Sequence, residues 1–168
     1  QLDLALEVLT QLPKDVFELW IAGGSEKENQ RYIEKAKKLG IEGACNWLGK
    51  CSHREIQQQM QDADILFFTS VAEGTPHVVL EAIANQLPIV CFNVCGQGDT
   101  VTDAIGRKVE MTTPKEAIED FSRELMYLAL NRKDLADMSI QCKEYQQKIT
   151  WDSKAKQMVE IYRSLIER

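Results

Sequence analysis

Apolar and polar residues along this chain recur with two alternating periods, and the pattern predicts helices interleaved with strands. Leu2, Leu4, Leu6, Val8, Leu9 and Leu12 mark a helix over 2–12 that stops before Pro13. Val16 to Ala22 reads as a strand and Gly23-Gly24-Ser25 as its exit loop, followed by a helix through Leu39 that Gly40 closes. A short strand over 44–48 and a loop over 49–53 lead into a helix ending near Gln61, with Ser52 as N-cap and Glu55 at the capping-box position. The run 63–70 is apolar without alternation, which suits a central parallel strand covered by helices on both faces. Thr75 then reads as an N-cap and Pro76 as the first helical residue. Leu87 to Phe92 is another buried strand, 93–99 a glycine-containing loop, 100–105 a short helix and 107–110 a last strand. Three helices close the chain, over 114–131, 133–148 and 151–168.

Strands and helices alternating at this spacing imply right-handed crossovers and a mostly parallel sheet, an α/β three-layer αβα fold of Rossmann-like type. The last helix carries Trp151, Ala155, Met158, Val159, Tyr162, Leu165 and Ile166 on one stripe, which is expected to pack mostly on this same domain. No linker or repeat divides residues 1–168, so one domain is expected.

Composition narrows the ligand more than the fold. The 168 residues hold 20 Lys and Arg against 26 Asp and Glu, a formal charge of −6. That balance argues against a nucleic-acid backbone or an anionic membrane as the main partner and leaves a small ligand. Five cysteines without a Cys-x-x-Cys pair read as reduced core residues, in keeping with a cytoplasmic protein. Cys45, Cys51 and His53 lack a fourth ligand for a closed zinc site, so no metal is expected. No apolar run approaches ~18 residues, the length of a spanning helix or signal core. Gln1 in place of Met leads us to expect a part of a longer chain.

One stretch carries chemistry. Amide groups near His77, Val78 and Val79 would open from a helix start at the carboxyl end of a parallel strand, where phosphate is favoured by unpaired donors and the helix dipole. Glu73 falls in the loop before that start and Glu81 inside the helix after it. Eight residues with a proline between them do not aim two carboxylates at one metal. Each carboxylate can instead accept hydrogen bonds from vicinal hydroxyls. A phosphate flanked by two polyols describes a nucleotide sugar.

The segment Glu73-Gly74-Thr75-Pro76-His77-Val78-Val79-Leu80-Glu81-Ala82 resembles the glutamate, seven residues, glutamate motif of the retaining glycosyltransferases of family 4. The likeness extends to Cys45-Asn46-Trp47-Leu48-Gly49, to 52–60, to Asp62-Ala63-Asp64 and to Ala84-Asn85-Gln86-Leu87-Pro88-Ile89-Val90. The resemblance implies the C-terminal, donor-binding half of a GT-B fold, with the acceptor domain, a first strand, and an Arg and a Lys that grip the diphosphate all upstream. It assigns Glu73 the catalytic place, as a contact to donor-sugar hydroxyls and not as a covalent nucleophile, and Glu81 the ribose hydroxyls. Gly74, Thr75, Pro76, His77 and Val78 would serve through backbone, and Gly23 and Gly24 would lie beside the diphosphate, where Ser25 replaces the usual second glycine. Trp47, Leu48 and Gly49 would meet the nucleobase, with core packing the alternative for Trp47. Gly96-Gln97-Gly98-Asp99 resembles the family's glycine-rich loop. The implied function is sugar transfer from a nucleotide diphosphate sugar to an acceptor hydroxyl, with no cofactor, in polysaccharide or glycolipid biosynthesis. An acceptor glycan or lipid-linked sugar is the implied partner, and membrane association would come only through the missing half. The alternative is a non-catalytic nucleotide-binding or signalling α/β module.

Overall fold

The computed structural model describes residues 1–74 and 76–166. Among the described residues eight α-helices and five strands follow one another, alternating as far as α6: α1 (Leu2–Thr10), β1 (Leu19–Ala22), α2 (Glu26–Lys38), β2 (Cys45–Gly49), α3 (His53–Asp62), β3 (Leu66–Phe68), α4 (His77–Ala84), β4 (Ile89–Phe92), α5 (Cys95–Thr100), β5 (Gly106–Val109), α6 (Pro114–Leu130), α7 (Arg132–Gln146) and α8 (Trp151–Ile166). All strand pairs are parallel. The expected single sheet is instead two pieces, β2-β1 and β3-β4-β5.

β4 organises the interior because it is buried on both faces. Its side chains alternate, so Val90 and Phe92 enter one apolar cluster with α1 and α6, while Ile89 and Cys91 enter a second with α4 and Cys142 of α7. Phe121 of α6, fully buried, meets Phe67 and Phe92 edge-on, with ring centroids 5.2 and 4.7 Å away. These rings fasten α6 across β3 and β4. The cysteines behave as small apolar residues: burial pushes the thiols of Cys91 and Cys142 up to about 12 and about 11.

Three helices start as their sequences require. Ser25, Ser52 and Thr113 each accept the amide of a glutamate three residues on, and Glu28, Glu55 and Glu116 return the bond to the N-cap amide. Elsewhere the boundaries depart from expectation. β1 begins at Leu19 because the amides of Val16 and Phe17 bond to Pro13 O and turn the chain there. β3 spans only Leu66–Phe68, and its residues are half-buried instead of central, since one of its edges has no neighbouring strand. The helix expected over 100–105 lies earlier, at Cys95–Thr100: Cys95 takes a left-handed φ of 50°, and Thr100 Oγ1 closes the turn on Gly96 O at 2.7 Å. Two glycines there had read as loop.

α8 overturns the expectation for its apolar stripe. None of its residues is buried, and Trp151 and Leu165 are 89% and 61% exposed. Glu167 and Arg168, which the sequence placed at the end of this helix, lie outside the described residues.

Candidate functional site

The site forms where strands end. β1 runs out into Gly23 and Gly24, β2 into Gly49, β3 into Ser70 and the loop before α4, and β4 into Asn93 and α5. Parallel strands place all these loops on one rim of the molecule, the rim at which ligands of open α/β sheets settle.

The first part of the rim is a glycine turn. Gly23 N donates to Gly49 O at 2.7 Å, tying the exits of β1 and β2 together. Buried Asn29 of α2 supports the turn from below, with Nδ2 donating to Gly23 O at 2.9 Å. Gly24 has a φ of 71°, and a Cβ there would lie 2.8 Å from Asn29 Oδ1. Glycine is required by conformation and by space together. Ser25 is committed to capping α2, its Oγ bonded to the Glu28 amide and carboxylate. Trp47 packs against the larger apolar cluster, the alternative weighed for it, and Leu48 lines the gap between the two sheets. What β2 offers the rim is therefore chiefly backbone at Gly49.

The second part is the loop between β3 and α4. Thr75, expected to cap the helix, lies outside the described residues. Pro76 occupies the N-cap position, with a ψ of 96° that is extended, and α4 starts at His77, one residue later than expected. Pro76 O accepts from the amides of Val79 and Leu80 at 2.9 and 3.3 Å. Val79 is thus not an open donor, contrary to expectation, whereas the amides of His77 and Val78 have no acceptor among the described residues. His77 is exposed, and the Val78 side chain packs on the second apolar cluster.

α5 holds this loop in place. Gly96 N donates to Glu73 O at 3.0 Å, and Gln97, fully buried, donates from Nε2 to Ser70 O at 2.9 Å. A Cβ on Gly96 would lie 1.9 Å from Gly74 O, so the two segments touch through backbone alone. Gly74 itself is open: nothing lies within 4 Å of a Cβ built there. The Glu73 carboxylate is aligned by Ser70 Oγ, which donates to Oε1 at 3.0 Å.

Glu81 stands one turn into α4, half-buried, with its Oε1 4.0 Å from Nδ1 of His53 at the start of α3. The structure so brings His53 to the rim, a residue the sequence suggested only as a weak zinc ligand. Ser70 and Asn29 are further supports that sequence reasoning passed over, and the bond of Gln97 to Ser70 O went unread within the glycine-rich loop, because polar residues in loops and on helix faces carry no signal of whom they will meet. Among the described residues no group of three or more His, Cys, Asp and Glu side chains converges as a metal site, and no helix is long and apolar enough to cross a membrane.

The chain has known counterparts. The family model of the glycosyl transferases group 1 matches residues 1–148. The chain belongs to that family. It is 29% identical over 169 aligned residues to a D-inositol 3-phosphate glycosyltransferase from Corynebacterium urealyticum, an alignment covering 98% of this chain and 39% of that relative. HepE from Anabaena, solved in complex with UDP, superposes with a TM-score of 0.77 at 20% identity over 96% of this chain and 44% of its own. Sucrose-phosphate synthase from Thermosynechococcus elongatus gives a TM-score of 0.80 at 19% identity, over 99% of this chain and 42% of its own. The fold is that of the C-terminal half of a GT-B glycosyltransferase. The chain spans about two fifths of the length of the curated relative.

Proposed function

We propose that this chain is the donor-binding domain of a retaining glycosyltransferase, which moves a hexosyl group from a nucleotide diphosphate sugar to an acceptor hydroxyl. One observation carries the reading: Glu73 and Glu81 flank the start of α4 on the strand-end rim, with the His77 and Val78 amides between them. A diphosphate at those amides would gain two donors and the positive end of the helix dipole. Glu81 would accept from the ribose hydroxyls and Glu73 from the donor sugar, held for that task by Ser70. Gly23 and Gly24 would approach the diphosphate from the β1 side, and Gly49 the base. The open space over Gly74 leaves room for a ligand to reach the backbone.

The chemistry asked of these residues is positioning. Orienting the sugar toward the acceptor contributes rate by geometry, and fixed donors stabilise the departing diphosphate. In this reading no metal takes part, and two cations of an upstream segment complete the charge balance. The acceptor domain is also upstream, and the exposed stripe of α8 would pack against it. Polysaccharide or glycolipid assembly at the inner face of the cytoplasmic membrane is the setting that suits such an enzyme. This chain by itself is expected to bind nucleotide weakly and to transfer no sugar.

The test is calorimetric titration of the chain with UDP, GDP and ADP, beside its Glu81→Ala form. Weak binding by at least one nucleotide, reduced about tenfold in the variant, is expected from loss of a charged hydrogen bond of about 1.5 kcal/mol. Equal affinity of the two proteins would remove Glu81 from the site. Binding by neither would favour a signalling or assembly module, and glycosyl transfer by the isolated chain would overturn the need for an upstream half.

A further inference from the structure

Among the described residues three polar side chains are buried, those of Asn29, Thr69 and Gln97, and of these Gln97 alone is wholly cut off from solvent. Its Nε2 donates to Ser70 O at 2.9 Å, and since that carbonyl can only accept, the orientation of the amide is fixed. The other end of the amide is left over: Oε1 is buried with no hydrogen-bond partner among the described residues. A carbonyl oxygen stripped of water and given no donor costs more than an ordinary hydrogen bond contributes. An apolar side chain of the same length would avoid that cost. Stability alone therefore does not account for a glutamine at this position.

The one bond it does make leads to Glu73. Ser70 accepts from Gln97 on its carbonyl and donates from Oγ to Glu73 Oε1 at 3.0 Å. Gly96 N, one residue before Gln97, donates to Glu73 O at 3.0 Å. α5 thus holds Glu73 twice, its main chain directly through Gly96 and its carboxylate indirectly through Ser70. The helix is itself braced, by Thr100 Oγ1 on Gly96 O at 2.7 Å and by Lys108 Nζ of β5 on Gly98 O at 3.2 Å. The amide of Gln97 is therefore presented to Ser70 from a fixed frame.

We propose that Gln97 is a positioning residue for the donor sugar, present at a cost in stability: through Ser70 it aims the Glu73 carboxylate at the sugar hydroxyls. The proposal rests on the nucleotide-sugar reading and adds to it the residue that sets the aim. A carboxylate takes two vicinal hydroxyls only when both oxygens face them, so a small rotation loses a bond while the charge stays the same. Ser70 by itself would leave the carboxylate to follow any shift of the loop, and the bond from α5 removes that freedom. The diphosphate would meet the amides of His77 and Val78, to which neither Ser70 nor Gln97 is bonded. The effect of Gln97 accordingly falls on the sugar end of the donor.

Gln97→Met, which keeps the length and removes both polar atoms, tests this in the whole chain. Dissociation constants are measured for UDP beside UDP-glucose and for GDP beside GDP-mannose. The ratio within a pair isolates the sugar, because both members share the nucleotide contacts. Gln97→Met is expected to move that ratio against the sugar nucleotide by about fivefold, the order of one hydrogen bond. Ser70→Ala should move it likewise, and the double variant no further than the larger single change, as for two parts of one relay. In urea the midpoint of Gln97→Met should equal or exceed that of the unaltered chain. A lower midpoint would overturn the proposal, since the amide would then serve the fold, and so would additive losses in the double variant. A ratio unmoved by Gln97→Met but shifted by Glu73→Gln would remove Gln97 and leave the nucleotide-sugar reading standing. A ratio that Glu73→Gln does not shift either, or no binding at all, would overturn both.

Discussion

Gly96 occupies a position where any side chain must displace backbone. The 1.9 Å approach of its virtual Cβ to Gly74 O cannot be relieved by a rotamer change. Gly96→Ala gains helix propensity of up to about 1 kcal/mol. Overpacking against main chain costs about 1–3 kcal/mol, and at so short a distance the upper part of that range should win. Urea denaturation is expected to show the net loss. Gly74→Ala is the useful contrast: nothing lies within 4 Å of its Cβ, so stability should move by no more than about 0.5 kcal/mol while nucleotide binding weakens. Equal destabilisation by the two substitutions would contradict this division. The two glutamates and the glycines around them were legible from spacing and residue type. Asn29, Ser70, Gln97 and the approach of His53 to Glu81 were not, because each depends on a contact between segments far apart in sequence.

At the scale of elements, the capping boxes link stability to pH. Hydrogen bonds from the side chain and amide of Ser25, from the amide and side chain of Ser52, and from the side chain and amide of Thr113 hold Glu28, Glu55 and Glu116 below the usual carboxylate range. A group whose folded pKa is depressed contributes stability above its unfolded value, about 4.3, and loses that contribution as pH falls through the folded pKa. Urea midpoints measured between about pH 6 and pH 3 should therefore decline on the acid side. With glutamine at all three positions, which retains the box but does not titrate, the decline should be shallower. An unchanged slope would mean that other carboxylates govern the acid limb. These boxes were readable because N-cap and N3 residues act within one turn. The starts of α4 and α5 were not, since they depend on how the loop after β3 packs on the turn before Gly98.

For the whole molecule, the most exposed element is also the most easily removed. α8 contributes no buried residue, so truncation after Thr150 should alter unfolding free energy by no more than about 0.5 kcal/mol, as read by chemical denaturation. A large loss would show that α8 packs on this domain after all. Loss of α6 cannot be so mild, because Phe121 ties β3 and β4 to the core. By itself the sequence determined the alternation of strands and helices, their parallel arrangement, the three boxed helix starts and the two carboxylates on either side of the start of α4. Those follow from periodicity, local capping and residue chemistry, which act over a few neighbouring positions. Only the tertiary structure decided that the sheet is parted between β1 and β3, that α8 stands clear of the core, and that α5 clamps the Glu73 loop through Gly96. Each of these is settled by which backbone edges and apolar faces find partners across the chain, a matter that local pattern does not encode.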